Sequence, residues 1–268
     1  MGAIGSRIMQ SINGPNFYSG NSLLICWADQ AEISEWRINY PLGETDDLLK
    51  EMQEYYRIRA PWHDEYMQYT DNGALENLLQ PVVSRVESLL AGLDVLELAC
   101  GTGNWSQILS RRVRSLVATD INEETLSRAQ TKQYPEDSVT FCLADAYSLD
   151  GIGSEFSGAF AADWWSHVPS SLLGSFLDSL HSHLKAGARV VFLDMLPRNH
   201  PDLIPYRHDR EGNAICRRTL PDGSSFDVIK NFPDKKEVLK VLSGRSERVE
   251  YQEWNKLGRW LVTYTTPA

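Results

Sequence analysis

The segment Val95-Leu96-Glu97-Leu98-Ala99-Cys100-Gly101-Thr102-Gly103-Asn104-Trp105 holds the residues whose types and spacing point most directly to chemistry. An apolar run turns through two glycines into a helix-like stretch. At Gly101 and Gly103 the missing Cβ lets backbone pass close beneath a ligand. In doubly wound sheets such a loop lies at the carboxyl edge of the strands, where ligands bind. A plain strand-to-helix turn is the simplest alternative. A dinucleotide site is the sharper competitor, and it would want a third glycine where this chain has Ser106. The acids that follow distinguish the loop from both: Glu97 lies on the run itself, Asp120 ends the next apolar run and Asp145 ends the one after. A carboxylate placed like Asp120 can accept both hydroxyls of a ribose. Any one of these acids could cap a helix or sit in solvent, but three on consecutive strands beside a glycine loop point to a common site.

A second group, Asp163-Trp164-Trp165-Ser166-His167-Val168-Pro169, follows the fourth apolar run. His167 is the best acid–base candidate, because an unperturbed pKa of about 6.5 suits taking a proton from a hydroxyl or amine near neutrality. The alternative is a histidine that bonds a lid or caps a helix. Trp105, Trp164 and Trp165 either line the mouth of the site or belong to the core. His181 and His183 read as surface helix residues, whereas His200 and His208 lie in a long loop where acceptor specificity is often built. Arg207, Arg210, Arg217 and Arg218 could grip a carboxylate substrate, and they read better as a solvated hairpin face. Cys26, Cys100, Cys142 and Cys216 are far apart, with no CxxC pair and no zinc-like spacing, so neither a metal site nor a disulfide framework is expected.

The elements that must position these side chains follow from apolar periodicity. Runs at Val95–Ala99, Leu116–Thr119, Val139–Ala144, Ala159–Ala162 and Val190–Leu193 are continuous rather than alternating, and helix-length segments separate them. Strands buried on both faces read this way, which predicts an α/β fold with a parallel sheet and helices on both faces. Helices are expected from Thr45, over Ala74–Leu90 with a break at Pro81, after Asn122, after Ser170 or Ser171, and over Lys235–Leu242. Pro221-Asp222-Gly223 predicts a hairpin between Arg217–Leu220 and Phe226–Ile229, and late strands are expected at Val249–Trp254 and Trp260–Tyr264. Residues 1–50 read as an irregular leader acting as a lid or a homodimer contact, ahead of one domain over 51–268.

The chain has 268 residues, 42% hydrophobic and 23% charged, with a net charge of −10. That composition excludes disorder and low complexity, and the acidic balance argues against a nucleic-acid surface. No apolar run is long enough to span a bilayer, and no signal peptide is legible, so a cytoplasmic enzyme is expected. Met1-Gly2-Ala3-Ile4-Gly5-Ser6 fits the N-myristoylation template without the second anchoring signal.

The series Glu97-Leu98-Ala99-Cys100-Gly101-Thr102-Gly103, Asp120 and Asp145-Ala146 resembles class I S-adenosylmethionine-dependent methyltransferases, over roughly Glu51 to Thr266. The resemblance implies a Rossmann-like seven-stranded sheet of order 3-2-1-4-5-7-6 with the last strand antiparallel. It also implies S-adenosylmethionine as cofactor and S-adenosylhomocysteine as product. By the same likeness Gly101 and Gly103 pass beneath the methionine part, Glu97 orients its amino group, Asp120 takes the ribose, and Asp145 and Ala146 meet the adenine. Ala99, Asn104, Trp105, Ile121, Asp163 and Trp164 join this cofactor set. Tyr55-Tyr56-Arg57-Ile58-Arg59-Ala60-Pro61 and Asp163-Trp164-Trp165-Ser166-His167-Val168-Pro169 resemble a narrower group of small-molecule methyltransferases, in which the N-terminal helix lies over the cofactor. Tyr55, Tyr56 and Arg59 are then candidates for its carboxylate, while His63 stands where that group has a tyrosine and is left out of the site. No Asn/Asp-Pro-Pro-Tyr motif follows the fourth run, which points to a small, secondary-metabolite acceptor and away from nucleic acid. An NAD(P)-dependent oxidoreductase and a non-catalytic cofactor-binding partner protein remain the alternatives.

Overall fold

Apolar strands can satisfy their backbone N–H and C=O groups only by pairing, and these strands pair into one large sheet. The computed structural model describes residues 43–67, 69 and 73–268, so the Gly2 motif and almost all of the expected leader, with its lid or dimer role, lie outside the described residues. Strands β1 (Asp94–Leu98), β2 (Ser115–Asp120), β3 (Val139–Leu143), β4 (Phe156–Ala162) and β5 (Leu184–Met195) are mutually parallel. The smaller β6 (Arg207–His208), β7 (Ala214–Thr219) and β8 (Ser225–Ile229) form a separate antiparallel sheet. Finally β9 (Glu247–Trp254) and β10 (Arg259–Thr265) return to the first sheet, where β10 runs antiparallel to both β5 and β9.

The order of the large sheet is β3-β2-β1-β4-β5-β10-β9. Counted within that sheet alone, this is the expected 3-2-1-4-5-7-6 with an antiparallel seventh strand. The hairpin around Pro221 also forms, but as part of the second sheet.

Adjacent strand residues face opposite sides of the sheet, which divides the core into two layers. Leu96, Leu98, Ala159, Ala161, Phe192 and Trp260 pack on one face, together with Phe176, Leu177 and Leu180 of α6 (Leu173–Ser182) and Val238 and Leu242 of α7 (Lys235–Leu242). Val95, Phe160, Val191, Leu193 and Leu261 pack on the other face, against α3 (Ala74–Leu90), α4 (Asn104–Leu109) and α5 (Glu123–Ala129). Pro81 does not end α3; the helix runs through with a kink at Leu79, where φ is −119° and ψ is 25°.

A third cluster joins the two halves of the chain. Leu48, Met52 and Tyr55 of α1 (Glu44–Arg59) pack against Ile215, Leu220, Val228 and Ile229 of the small sheet. The domain boundary expected at residue 51 therefore falls inside a helix.

Two expected caps are replaced, and a third is kept without its side-chain bond. The N-cap of α1 is Gly43 rather than Thr45, that of α6 is Leu172 rather than a serine, and Asn122 caps α5 without a side-chain bond. Each of the latter polar groups is taken by a tertiary partner instead: Asn122 Nδ2 donates to Gln53 O, and Ser171 Oγ donates to Glu211. Among the described residues no helix is long and apolar enough to cross a membrane.

Trp165 belongs to the core. It is 1% exposed, with its ring edge-on to Phe192 at 5.0 Å and to Trp260 at 6.2 Å. Trp165→Ala is expected to cost about 3–5 kcal/mol of stability, the range for truncating a buried large aromatic. Urea denaturation checks this, and a loss under 1 kcal/mol would place the ring outside the packed layer.

Candidate active site

The carboxyl ends of β1 to β5 open into a cavity of about 560 Å³, and α1 and the small sheet close it from the opposite side. Its floor is the turn after β1. Ala99 is held at φ 48°, and Asp163, at the end of β4, at φ 56°. Left-handed backbone at two non-glycine residues on one cavity wall is the kind of strain that clusters at functional sites.

The two glycines of the turn have different reasons for being there. A Cβ on Gly101 would meet nothing within 4 Å and would project into open space, whereas one on Gly103 would lie 2.5 Å from Tyr134 Oη and 2.9 Å from Ala129 Cβ. Gly103 does not line the cavity, so its assignment beneath a ligand is corrected: it allows α4 and α5 to pack closely.

The acids of the strand ends line the cavity together. Asp120 is 8% exposed and already accepts three hydrogen bonds, from Gly101 N at 2.9 Å, Asn122 N at 2.9 Å and Thr125 Oγ1 at 2.8 Å. A carboxylate offers about four acceptor positions, so one remains for a ligand hydroxyl rather than the two a ribose pair would use. Glu97 is 1% exposed and accepts from Ser106 Oγ at 2.6 Å. Burial, reinforced by the Asp120 charge, pushes its carboxyl up to about 8. Asp145 accepts from Tyr147 N through Oδ1, leaving Oδ2 uncommitted among the described residues, and Ala144, Ala146 and Ile121 flank it on the cavity wall.

The opposite wall comes from the N-terminal helices. Tyr56, Arg59 and His63 face the cavity, but Tyr55 does not: its ring is 2% exposed in the α1–small sheet core, and its hydroxyl accepts from Arg59 Nη1 at 3.1 Å. Tyr55 is thereby corrected from ligand contact to support for Arg59. The Arg59 guanidinium lies 4.0 Å from the Tyr66 ring centre, and its Nε and Nη2 are buried without hydrogen-bond partners. His63, left out by the resemblance, lines the cavity, and burial beside the Arg59 charge holds it down at about 3.

A carboxylate that the sequence reading passed over clasps this wall to the glycine turn. Asp64, in the short α2 (His63–Tyr66), accepts from Thr102 Oγ1 at 2.6 Å and from Asn104 Nδ2 at 2.8 Å, and it pairs with Lys132 at 2.9 Å. The Asn104 amide is thus spent on the clasp, although the residue borders the cavity. Trp105 and Trp164 line the cavity, whereas Trp165 does not.

His167 is 5% exposed and lines the cavity. Its Nδ1 lies 2.6 Å from Ile229 O, which only a protonated Nδ1 can satisfy, so Nε2 accepts from the Tyr56 hydroxyl at 3.0 Å. Burial, and then the charges of Lys230, Arg218 and Arg59, hold the imidazole well below its ordinary value. Its one acceptor nitrogen is occupied by the Tyr56 hydroxyl, and protonating the ring would add charge beside three cations.

Beside His167, buried Lys230 donates to Ser166 Oγ at 2.5 Å and to Asp194 Oδ1 at 3.2 Å. Arg218 is also buried and lines the cavity. Its neighbour Arg217 points the other way, onto Asp227 and the Tyr206 hydroxyl. The solvated reading therefore holds for Arg217 and fails for Arg218, because successive side chains on β7 alternate faces. Asp163 is paired with buried Arg259. His200 borders the cavity mouth, while His181 is half-buried with its Nε2 on the Tyr264 hydroxyl. No group of His, Cys, Asp and Glu that could hold a metal occurs among the described residues.

Residues 95–187 match the family model of a methyltransferase domain. The demethylmenaquinone methyltransferase of Lactococcus lactis subsp. lactis (strain IL1403) is 28% identical over 180 residues, 61% of this chain and 69% of that one. Two solved structures of DhpI superpose on most of the chain. The complex with SAH is 26% identical with a TM-score of 0.64, covering 82% of this chain and 97% of that one. The SAM–HEP complex is 27% identical with a TM-score of 0.65, covering 84% and 99%. With the strand order and the turn after β1, these likenesses make the protein a class I methyltransferase. SAH, S-adenosylhomocysteine, is what S-adenosylmethionine becomes once its methyl group has been transferred.

Glu97 makes the ligand-free protein pH-sensitive. Its folded value of about 8 lies above an unfolded value of about 4.3, so the folded state holds the extra proton between them. Stability should fall as pH rises through that interval. Glu97→Gln should flatten the fall in denaturation midpoints measured across it, and equal slopes in the two proteins would remove Glu97 as the source.

Proposed function

We propose that this enzyme methylates a small-molecule acceptor, with the cofactor lying across the carboxyl ends of β1, β2 and β3. The observation that carries this reading is the open space over Gly101, flanked by two buried carboxylates that face the same cavity. These residues fit the cofactor chemically: Glu97 suits its amino group, Asp120 has one acceptor position for a ribose hydroxyl, and the unpartnered Arg59 donors suit its carboxylate. Asp145 and the Ala146 amide suit the adenine edge, between Ile121 and the aromatic wall of Tyr147 and Trp164. When bound, the cofactor supplies a methyl carbon activated by a sulfonium, and alignment of the acceptor is then the main task left to the protein.

On the acceptor side Tyr56 lines the cavity, and His167 is a positioning residue that holds its hydroxyl. The Ile229 carbonyl fixes the imidazole tautomer, and the imidazole fixes the phenol. A surface made for DNA or RNA would carry clustered positive charge outside the cavity, which the net charge of −10 does not favour.

Two measurements test the assignment. Asp120→Ala should weaken SAH binding by about 1–3 kcal/mol in calorimetry, and unchanged affinity would refute the ribose contact. For His167, once labelled-methyl transfer to a panel of small acceptors has found a substrate, His167→Ala and Tyr56→Phe should lower kcat/KM non-additively, as residues acting in one unit do. The wild-type kcat profile should lack an ionisation near pH 6–7. A limb in that range that disappears in His167→Ala would instead restore the histidine as base.

A further inference from the structure

Arg218 and Lys230 are buried on the acceptor side and have donors to spare. Arg218 is 5% exposed, and its one described ionic partner is Asp202 at 3.9 Å, beyond hydrogen-bond distance. That carboxylate also accepts the Tyr66 hydroxyl, which divides its negative charge. Lys230 is 2% exposed and has three N–H donors, of which Ser166 and Asp194 take two. Both residues line the same cavity as Tyr56 and His167.

We propose that the methyl acceptor enters as a small oxyanion, a carboxylate or an acidic phosphoryl group, gripped by Arg218 and Lys230. This inference rests on the cofactor assignment above, because the single cofactor carboxylate is already matched to Arg59. Charge balance supports the inference. A bound cofactor adds an ammonium and a sulfonium against one carboxylate. Lys230 is already ion-paired with buried Asp194 at 3.2 Å, which leaves Arg218, with Asp202 no nearer than 3.9 Å, as the buried cation short of a close partner. Unpaired buried charge is costly, and an anionic acceptor relieves it. The planar Arg218 fork matches the two oxygens of a carboxylate or phosphoryl group, and the spare Lys230 proton adds a third contact.

The same choice removes the need for a general base. An oxygen that is already anionic uses a lone pair to form the new C–O bond, while the C–S bond electrons remain on sulfur. One negative and one positive charge cancel, and no proton moves. His167, with its acceptor nitrogen on Tyr56, is then free to be only a support.

The test titrates SAH-saturated protein with inorganic phosphate, with acetate and with neutral acetamide. At least one anion should bind about tenfold more tightly than acetamide. That preference should vanish in Arg218→Gln and partly return in Arg218→Lys. SAH affinity should stay unchanged in both variants, which also reports that they fold. The tighter of phosphate and acetate identifies the phosphoryl or the carboxylate class. Equal affinity for all three probes in an SAH-competent protein would overturn the oxyanion assignment, as would an anion preference that survives Arg218→Gln. Failure of wild-type protein to bind SAH would instead overturn the cofactor reading beneath it.

Discussion

The Asp120 carboxylate is the joint on which the site depends. One of its oxygens takes the Gly101 amide from the turn after β1, and the other takes the first turn of α5 through Asn122 and Thr125. Two neighbouring strand ends are thereby locked to each other and to a helix. Burial pushes this carboxyl above its ordinary value, and the N–H and O–H donors offset part of that rise. The turn can then keep Gly101 at φ 57° with its open side toward the cavity. A carboxylate that supports the loop and still has an acceptor position left is economical, since the group that shapes the floor can also meet the ligand.

The cavity has two electrostatic halves, built by different parts of the chain. The floor is acidic and comes from the ends of β1, β2 and β3. The opposing wall is cationic and comes from α1, β7 and the end of β8, with Arg59, Arg218 and Lys230. Two contacts hold the halves in register. Asp64 clasps the N-terminal wall to Thr102 and Asn104, and the Tyr56–His167–Ile229 chain links α1, the turn after β4 and β8. The two ends of the cavity therefore differ in the side chains they would offer a ligand.

Much of this was legible in the residues. Continuous apolar runs located all five parallel strands, because strands covered on both faces leave no polar alternation to blur them. Gly101 and the acids at three strand ends marked the floor for the same local reason: strand, turn and helix follow one another directly in sequence. The wall was harder to read. Arg218 looked like one of four hairpin arginines, and Lys230 carried no signal, since both reach the cavity only when the small sheet folds against α1. Tyr55 and Tyr56 are adjacent and alike in type, yet helix geometry sends one into the core and the other to the cavity.

The sequence alone determined the parallel strands and the identity of the floor, because those depend on local periodicity and on turns of a few residues. The strand order was implied only by the family resemblance. Only the tertiary structure decided which glycine faces a ligand and which makes room for Tyr134. It also decided that His167 accepts a proton-bearing partner instead of standing free, and that two arginines adjacent in β7 meet opposite environments. In each case the chemistry of a side chain is set by what packs against it, and those neighbours come from segments far away along the chain.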